Sequence, residues 1–310
     1  MEDTAALVRE RGVGRLALRG YLMIGTAALI FGSTGVWVNY TQMPSSMLLV
    51  LRMATGGAIV AALFCRHGGG GVLRRRPLAL RLVALGLVDA AGLLTFFVAM
   101  RTMNVAVGMF LAYLAPVYVA VAAPRLLRQP TERVVYAALA LALGGIAVML
   151  APSLTGASVH LSVTGVVCGV ASGLLLGVFF LLAKGLRQHV GGGILLAWDA
   201  AIVAVAVLPL ALWQTLGSGY TFSGRDALAV LALGALNTAL AGTLFLHGMR
   251  FVKVQHSSIV GLLEPVSAPL YALLFLAQRP TVWTLTGGAL ILAAGILVVL
   301  FGKAEVEPVA

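Results

Sequence analysis

Acidic residues and cysteines are what this chain has least of. Only 10 Asp and Glu occur in 310 residues, charged residues of both signs make up 10%, and 61% of the chain is hydrophobic. With a mean hydropathy of +1.03, that composition excludes an ordinary soluble domain, where about a quarter of residues are charged. Two cysteines, Cys65 and Cys168, stand in or beside apolar runs without metal-ligand spacing. They exclude a disulfide framework and a zinc site and read as small core residues. No phosphate loop, no nucleophile with its base and no metal-ligand cluster is found. The expectation is therefore no cofactor, no metal, no enzyme and no ATP-driven step within this chain.

What is present is a series of apolar runs of roughly 18 residues or more, the length that spans a bilayer. Ten spans are expected, at about 20–38, 45–64, 82–100, 105–124, 134–151, 163–182, 194–213, 227–248, 256–276 and 283–301. The first follows Arg9, Arg11, Arg15 and Arg19 as a signal peptide would, but it is long and lacks a small-residue cleavage site, so an uncleaved helix is expected. The net charge of +11 reads as topology, not as affinity for nucleic acid. With the N-terminus in the cytoplasm, 17 of the 21 Lys and Arg fall on that side and only Arg101, Arg225 and Arg279 face outward, leaving Arg52 inside a span. Both termini are expected in the cytoplasm, and GGGG (68–71) with RRR (74–76) as a flexible basic loop near anionic lipid.

The two halves repeat. MRTMNV (100–105) matches MRFVKV (249–254) at an offset of 149 residues, and the same offset superposes Pro116 and Val117 of LAPV on Pro265 and Val266 of LEPV. After one residue of drift, RQPT (128–131) matches QRPT (278–281), and Gly145 matches Gly295. A repeat five helices long puts its second copy into the membrane inverted, an arrangement that belongs to carriers. The fold class is thus all-α integral membrane, ten transmembrane helices as two inverted five-helix repeats. The expected segments are 1–19 in the cytoplasm, a first repeat 20–151, an outward linker 152–162, a second repeat 163–302 and a tail 303–310.

GLLEPVSAPLYALL (261–274), LAQRPT (276–281), TGGALILAAGILVV (286–299) and PTERVVYAALALALGGIAVML (130–150) resemble the EamA-type ten-helix proteins of the drug/metabolite transporter superfamily. The likeness runs from Tyr21 to Gly302. It implies a carrier of small organic metabolites with a cavity lined mainly by helices one, three, four, six, eight and nine and by scaffold helices five and ten. Family members usually place a Gly-Glu pair before the last helix of each half. Here those places read Leu127-Arg128 and Ala277-Gln278, so no role of that glutamate carries over.

Ionisable residues inside a bilayer face a cavity or a partner, because lipid exposure costs roughly 2.5–3.5 kcal/mol or more. Four are found: Arg52, Asp89, Asp199 and Glu264. Asp199 is expected as a wetted interface residue; Asp89 and Glu264 are expected near mid-membrane. These carboxylates can bind a substrate amine, carry a coupling proton, or pair with Arg52 as a lock. Pro116 and Pro265 each remove a backbone donor at matched positions of the inverted halves, which marks them as hinges. Ser33, Thr34, Trp37, Tyr113, Asn237, Thr238 and Tyr271 are candidate wall residues, with Ser257, Gly261, Glu264, Ala268 and Tyr271 on one helical stripe. His247 and His256 are expected at the interface. Glycines 165, 169, 173 and 177 form a packing seam on helix six.

The reading that follows is a secondary transporter of small organic metabolites, amino-acid-like or related solutes, exported across the inner membrane by alternating access. Protons or the substrate gradient would drive it. Its partners would be a small-molecule substrate and the lipid bilayer, and it would be a monomer or homodimer. A membrane enzyme acting on a lipid-linked substrate, and a passive channel or accessory subunit, are the alternatives.

Overall fold

In lipid every backbone polar group must be satisfied within the protein, so ten apolar runs fold as ten helices. The computed structural model describes residues 2–64, 76–103, 105–154 and 162–303. Among the described residues ten helices are long and apolar enough to cross a bilayer, and no strand occurs. Cys65, most of the basic loop (65–75), most of the expected linker (155–161) and the tail 304–310 lie outside the described residues.

The helices are α1 (Glu2–Phe31 continued by Thr34–Tyr40), α2 (Ser45–Phe64), α3 (Arg76–Thr102), α4 (Val105–Ala112 and Ala115–Leu126) and α5 (Arg133–Leu154). The second half has α6 (Val163–Arg187), α7 (Gly192–Ser218), α8 (Gly224–Ala232, a π-helical turn Leu233–Ala241, then Gly242–Gly248), α9 (Val254–Gly261 and Glu264–Leu276) and α10 (Val282–Phe301). Below, the terminal side is the one where α1 begins and α10 ends; the other is the far side.

Packing obeys the inverted symmetry. α5 pairs with α10 and α2 with α7, each pair straddling the pseudo-twofold axis, while α3 on α6 is mirrored by α8 on α1, and α4 on α6 by α9 on α1. Small residues let these helices approach, because helices in lipid associate by close packing of their backbones. A Cβ on Gly145 of α5 would lie 2.6 Å from the carbonyl oxygen of Gly287 in α10, and one on Gly57 of α2 would lie 3.0 Å from Ala200 of α7. The glycine seam of α6 faces α4 and the end of α3: Gly165 and Gly169 meet Met103, Gly169 and Gly173 meet Leu111, and Gly177 meets Tyr118. The expected pairing of Gly145 with Gly295 is not a pairing of environments, since a Cβ on Gly295 would touch only Leu263 at 3.9 Å.

The repeat is visible in single hydrogen bonds. α4 and α9 each end on a residue in the left-handed region, Arg128 (φ 56°) and Ala277 (φ 54°). The next N–H folds back in both, from Gln129 to Ala123 O and from Gln278 to Ala272 O, the helix-ending motif that satisfies free carbonyls. All three residue pairs keep the 149-residue offset.

Candidate functional site

Four interruptions of regular helix converge at mid-span. Pro116 and Pro265 cannot donate to the carbonyls of Ala112 and Gly261, and α4 and α9 break one turn earlier, at Tyr113–Leu114 and Leu262–Leu263. Short i to i+3 bonds bridge both breaks: Val117 N–H to Leu114 O at 2.9 Å and Val266 N–H to Leu263 O at 3.2 Å. α1 breaks at Gly32–Ser33, where α9 crosses it; a Cβ on Gly32 would lie 2.8 Å from Glu264 O and from Ala268 N. The fourth is the π-helical turn of α8, a form that recurs at functional sites. It carries Asn237, whose Nδ2 reaches the break in α1 and donates to Thr34 Oγ1 (2.8 Å) and Ile30 O (3.2 Å), while Ser33 Oγ donates to Asn237 Oδ1 (3.3 Å).

These breaks border a cavity of about 390 Å³ between the halves, within the range of small-molecule pockets. Its polar wall is Arg52, Asp89, Asp199, Glu264, Tyr113, Thr34, Asn237, Thr238, Ser45 and Ser258, with Pro116 and Gly261 at the breaks. Its apolar wall joins leucines with six phenylalanines, Phe31, Phe96, Phe97, Phe179, Phe180 and Phe245, of which Phe180 and Phe245 stack at 5.6 Å. Helices two and seven supply Arg52 and Asp199, and no residue of α5 or α10 reaches the wall. The lining thus differs from the set implied by resemblance, because α5 and α10 pack on each other behind α4 and α9.

Asp199 overturns the interface expectation. It is 3% exposed, its carboxyl sits beside that of Asp89 on α3, and its Oδ1 has no hydrogen-bond partner. Arg52 lies in the electrostatic reach of both Asp89 and Glu264, yet no ion pair closes on it among the described residues, and its Nε is buried without a partner. Glu264 also reaches Tyr113 on α4. Three carboxyls from three helices and one guanidinium therefore share one mainly apolar space, with a donor and an acceptor both unfilled.

Four other sequence candidates lie beside the cavity. Ser33 is buried and bonded to Asn237, Pro265 is buried within α9, Trp37 packs on the cluster of Met43, Leu48, Val230 and Leu233, and Tyr271 stacks on Phe275 at 6.3 Å toward the far end of α9. The stripe from Ser257 to Tyr271 is not continuous, because α9 changes course at Leu262. The histidine expectation also fails for His256, which is fully buried and bonded through Nδ1 to Tyr21 Oη at 2.6 Å. His247 is half-buried against Phe64 and bonds Thr243 O at 2.8 Å.

Sequence reasoning passed over a layer of polar contacts on the terminal side. Lys253 Nζ donates to Glu132 Oε1 at 2.5 Å, and Lys303 N–H to Glu132 Oε2 at 2.8 Å. Gln129 accepts from Val254 N–H through its side chain (3.2 Å) and from Gln255 Nε2 through its backbone (2.9 Å). Lys184, wholly buried at the end of α6, donates to Met249 O (2.9 Å) and Val252 O (3.0 Å) at the end of α8, where a cation suits the helix dipole. Burial works to raise the Glu132 carboxyl, but the hydrogen bonds from Lys253 and the Lys303 backbone and the nearby positive charge outweigh it and hold Glu132 below the usual carboxylate range. The available signal was an acid, Glu132, in a segment otherwise basic.

Comparison with known proteins agrees with this geometry. A sequence model described as the EamA-like transporter family matches residues 18–151 and again 163–301. This chain belongs to the EamA-like transporter family. An uncharacterized transporter of Archaeoglobus fulgidus is 29% identical over 281 residues, covering 90% of this chain and 95% of the relative. An uncharacterized inner membrane transporter of Salmonella typhimurium, YicL, is 27% identical over 290 residues, covering 91% and 95%. A solved crystal structure of a protein shares the fold at a TM-score of 0.76 and 20% identity, covering 92% of this chain and 98% of that one. Membership makes this EamA-like protein a multi-pass membrane transporter of the drug/metabolite superfamily.

Proposed function

We propose that this EamA-like protein is a secondary transporter that exports small organic metabolites, amino-acid-like or related solutes, across the inner membrane by alternating access with proton coupling. One observation carries the reading: a single mid-span cavity, built by both inverted halves and bordered by both proline breaks, that gathers Arg52, Asp89, Asp199 and Glu264. A solute with an amine and a carboxylate meets an unfilled acceptor on Asp199 and an unfilled donor on Arg52, and the phenylalanine wall suits an apolar body. Adjacent carboxyls such as Asp89 and Asp199 repel one another as like charges unless a cation or a proton lies between them, which supports proton exchange. α3–α4 and α8–α9 rock about Pro116 and Pro265, and the excess of basic residues on the terminal side supports a cytoplasmic location of both termini.

The test begins with a thermal-shift screen of the purified protein against amino acids, vitamins, sugars, nucleosides and organic cations, since a ligand of the native state raises apparent stability. A hit is then followed by counterflow in liposomes. Saturable counterflow that a pH gradient accelerates is the expected result, and its absence for every stabilising ligand would leave a channel or accessory subunit instead. Gradient-dependent transport that survives Glu264→Gln unchanged removes Glu264 from coupling, and the same outcome for Asp199→Asn removes the carboxyl pair.

A further inference from the structure

A second recess lies outside the cavity, on the lipid-facing edge of the terminal side. It has a volume of about 340 Å³ and is lined by Arg15, Leu18, Arg19, Leu22, Met23, Thr26 on α1 and Leu244 on α8. Two features of it are unlike a packing gap. Arg15 and Arg19 stand one helical turn apart at its upper end, and among the described residues neither guanidinium has a hydrogen-bond or ion-pair partner. Below them the wall is wholly apolar down to Thr26, with Leu18 50% and Leu22 62% exposed, so that the recess faces acyl chains. From Arg15 to Thr26 it runs about 16 Å along the helix axis.

Further cations stand near it. Arg19 and Arg250 both lie within electrostatic reach of His247, as does the buried Arg187. Glu132, an acid of the terminal side, is already held by Lys253 and the Lys303 backbone. Clustered cations at a bilayer surface attract an anion from the membrane. The floor is fixed, because α1 and α8 touch through backbone there: a Cβ on Gly248 would lie 2.8 Å from Gly20 O.

We propose that this recess is a binding site for one anionic phospholipid, its headgroup phosphate held between Arg15 and Arg19 and one acyl chain laid along Leu18, Leu22, Met23 and Leu244. Guanidinium groups match phosphate oxygens in pairs, and the apolar trough continues directly below them, which a free phosphate would not use. The lipid ties α1 to the end of α8, the helix end that Lys184 and Arg187 hold from the other side. The inference depends on the protein spanning a membrane and not on what it transports.

Native mass spectrometry of the full chain in detergent, titrated with phosphatidylglycerol or phosphatidylcholine, tests it. A first phosphatidylglycerol adduct is expected at low lipid, and phosphatidylcholine is expected to bind far more weakly. Arg15→Gln/Arg19→Gln should weaken that adduct roughly 30-fold, the effect of removing two interfacial cations. Leu244→Trp, which fills the trough and leaves both charges, should weaken it as well. Equal binding of the two lipids, or full retention in either variant, overturns the site. Displacement of the adduct by millimolar inorganic phosphate would also overturn it, in favour of a simple anion site.

Discussion

The two faces of this transporter carry the same turn and use it differently. On the terminal side the turn that ends α4 is docked: Gln129 is 5% exposed and holds Val254 and Gln255, and Glu132 holds Lys253. On the far side its repeat mate, Gln278-Arg279-Pro280-Thr281 after Ala277, is largely exposed, and Thr281 spends its hydroxyl capping α10 through Thr284 N–H. The far side is tied instead through α1, α2, α7 and α8, by Thr41 on Asp226 and Ser46 on Gln214 (2.7 Å). An inverted repeat in one conformation has to break its own symmetry somewhere, since the halves exchange roles when the cavity changes sides. Here the break is chemical as well as conformational. Lys253 has Asn104 as its repeat mate and Glu132 has Thr281 or Val282, so the charged clasp can form on one side alone.

Charge reversal should break that asymmetry most strongly. In a background lacking Cys65 and Cys168, Ser258→Cys on the terminal end of the cavity wall is buried and should react slowly with a membrane-impermeant thiol reagent. Adding Lys253→Glu removes a charge-assisted bond and sets two acids together, shifting the closed state by about 2 kcal/mol and labelling by roughly 30-fold. The exchange Glu132→Lys with Lys253→Glu should restore most of the protection. Equal labelling in all three proteins would mean that the clasp does not hold the terminal side shut.

A smaller effect comes from pH. Because the folded Glu132 carboxyl sits below its unfolded value, its contribution is complete above the unfolded pKa of about 4.3 and is lost as pH falls through the folded value. The difference in thermal midpoint between wild type and Glu132→Gln should therefore stay constant from about pH 8 to about pH 5 and close only in more acidic buffer. A gap that closes near neutral pH would assign the clasp to another group.

How far residues foretold this arrangement depends on the length scale of the signal. Span number and repeat were legible because hydropathy and the Met-Arg, Pro and Pro-Thr matches extend over tens of residues. The proline breaks were legible because a missing N–H acts locally. The place of Asp199 was not. Seven residues from the start of α7 it looks interfacial along its own helix, and only the packing of α7 on α2 and α3 turns it inward to Asp89. The π-helical turn of α8 and the break of α1 were equally hidden, because each exists to accommodate the other through Asn237. Glu132 was read as part of a connection, and its partner lies 121 residues away.

The turn itself offers the finest test of the comparison. A left-handed conformation costs an ordinary L-residue roughly 1–2 kcal/mol, and both copies place a residue with a Cβ there, Arg128 and Ala277. Both are exposed, so replacing them removes no buried contact, while glycine relieves the strain and gives back about 0.5–1 kcal/mol through the greater freedom of the unfolded chain. Ala277→Gly should thus stabilise by about 0.5 kcal/mol, seen as a small rise in thermal midpoint. Arg128→Gly should do the same, and the two should add, being on opposite faces without shared partners. Should only Ala277→Gly stabilise, the docked turn on the terminal side draws more from Arg128 than its backbone, and the two copies differ at the one feature their hydrogen bonds otherwise share.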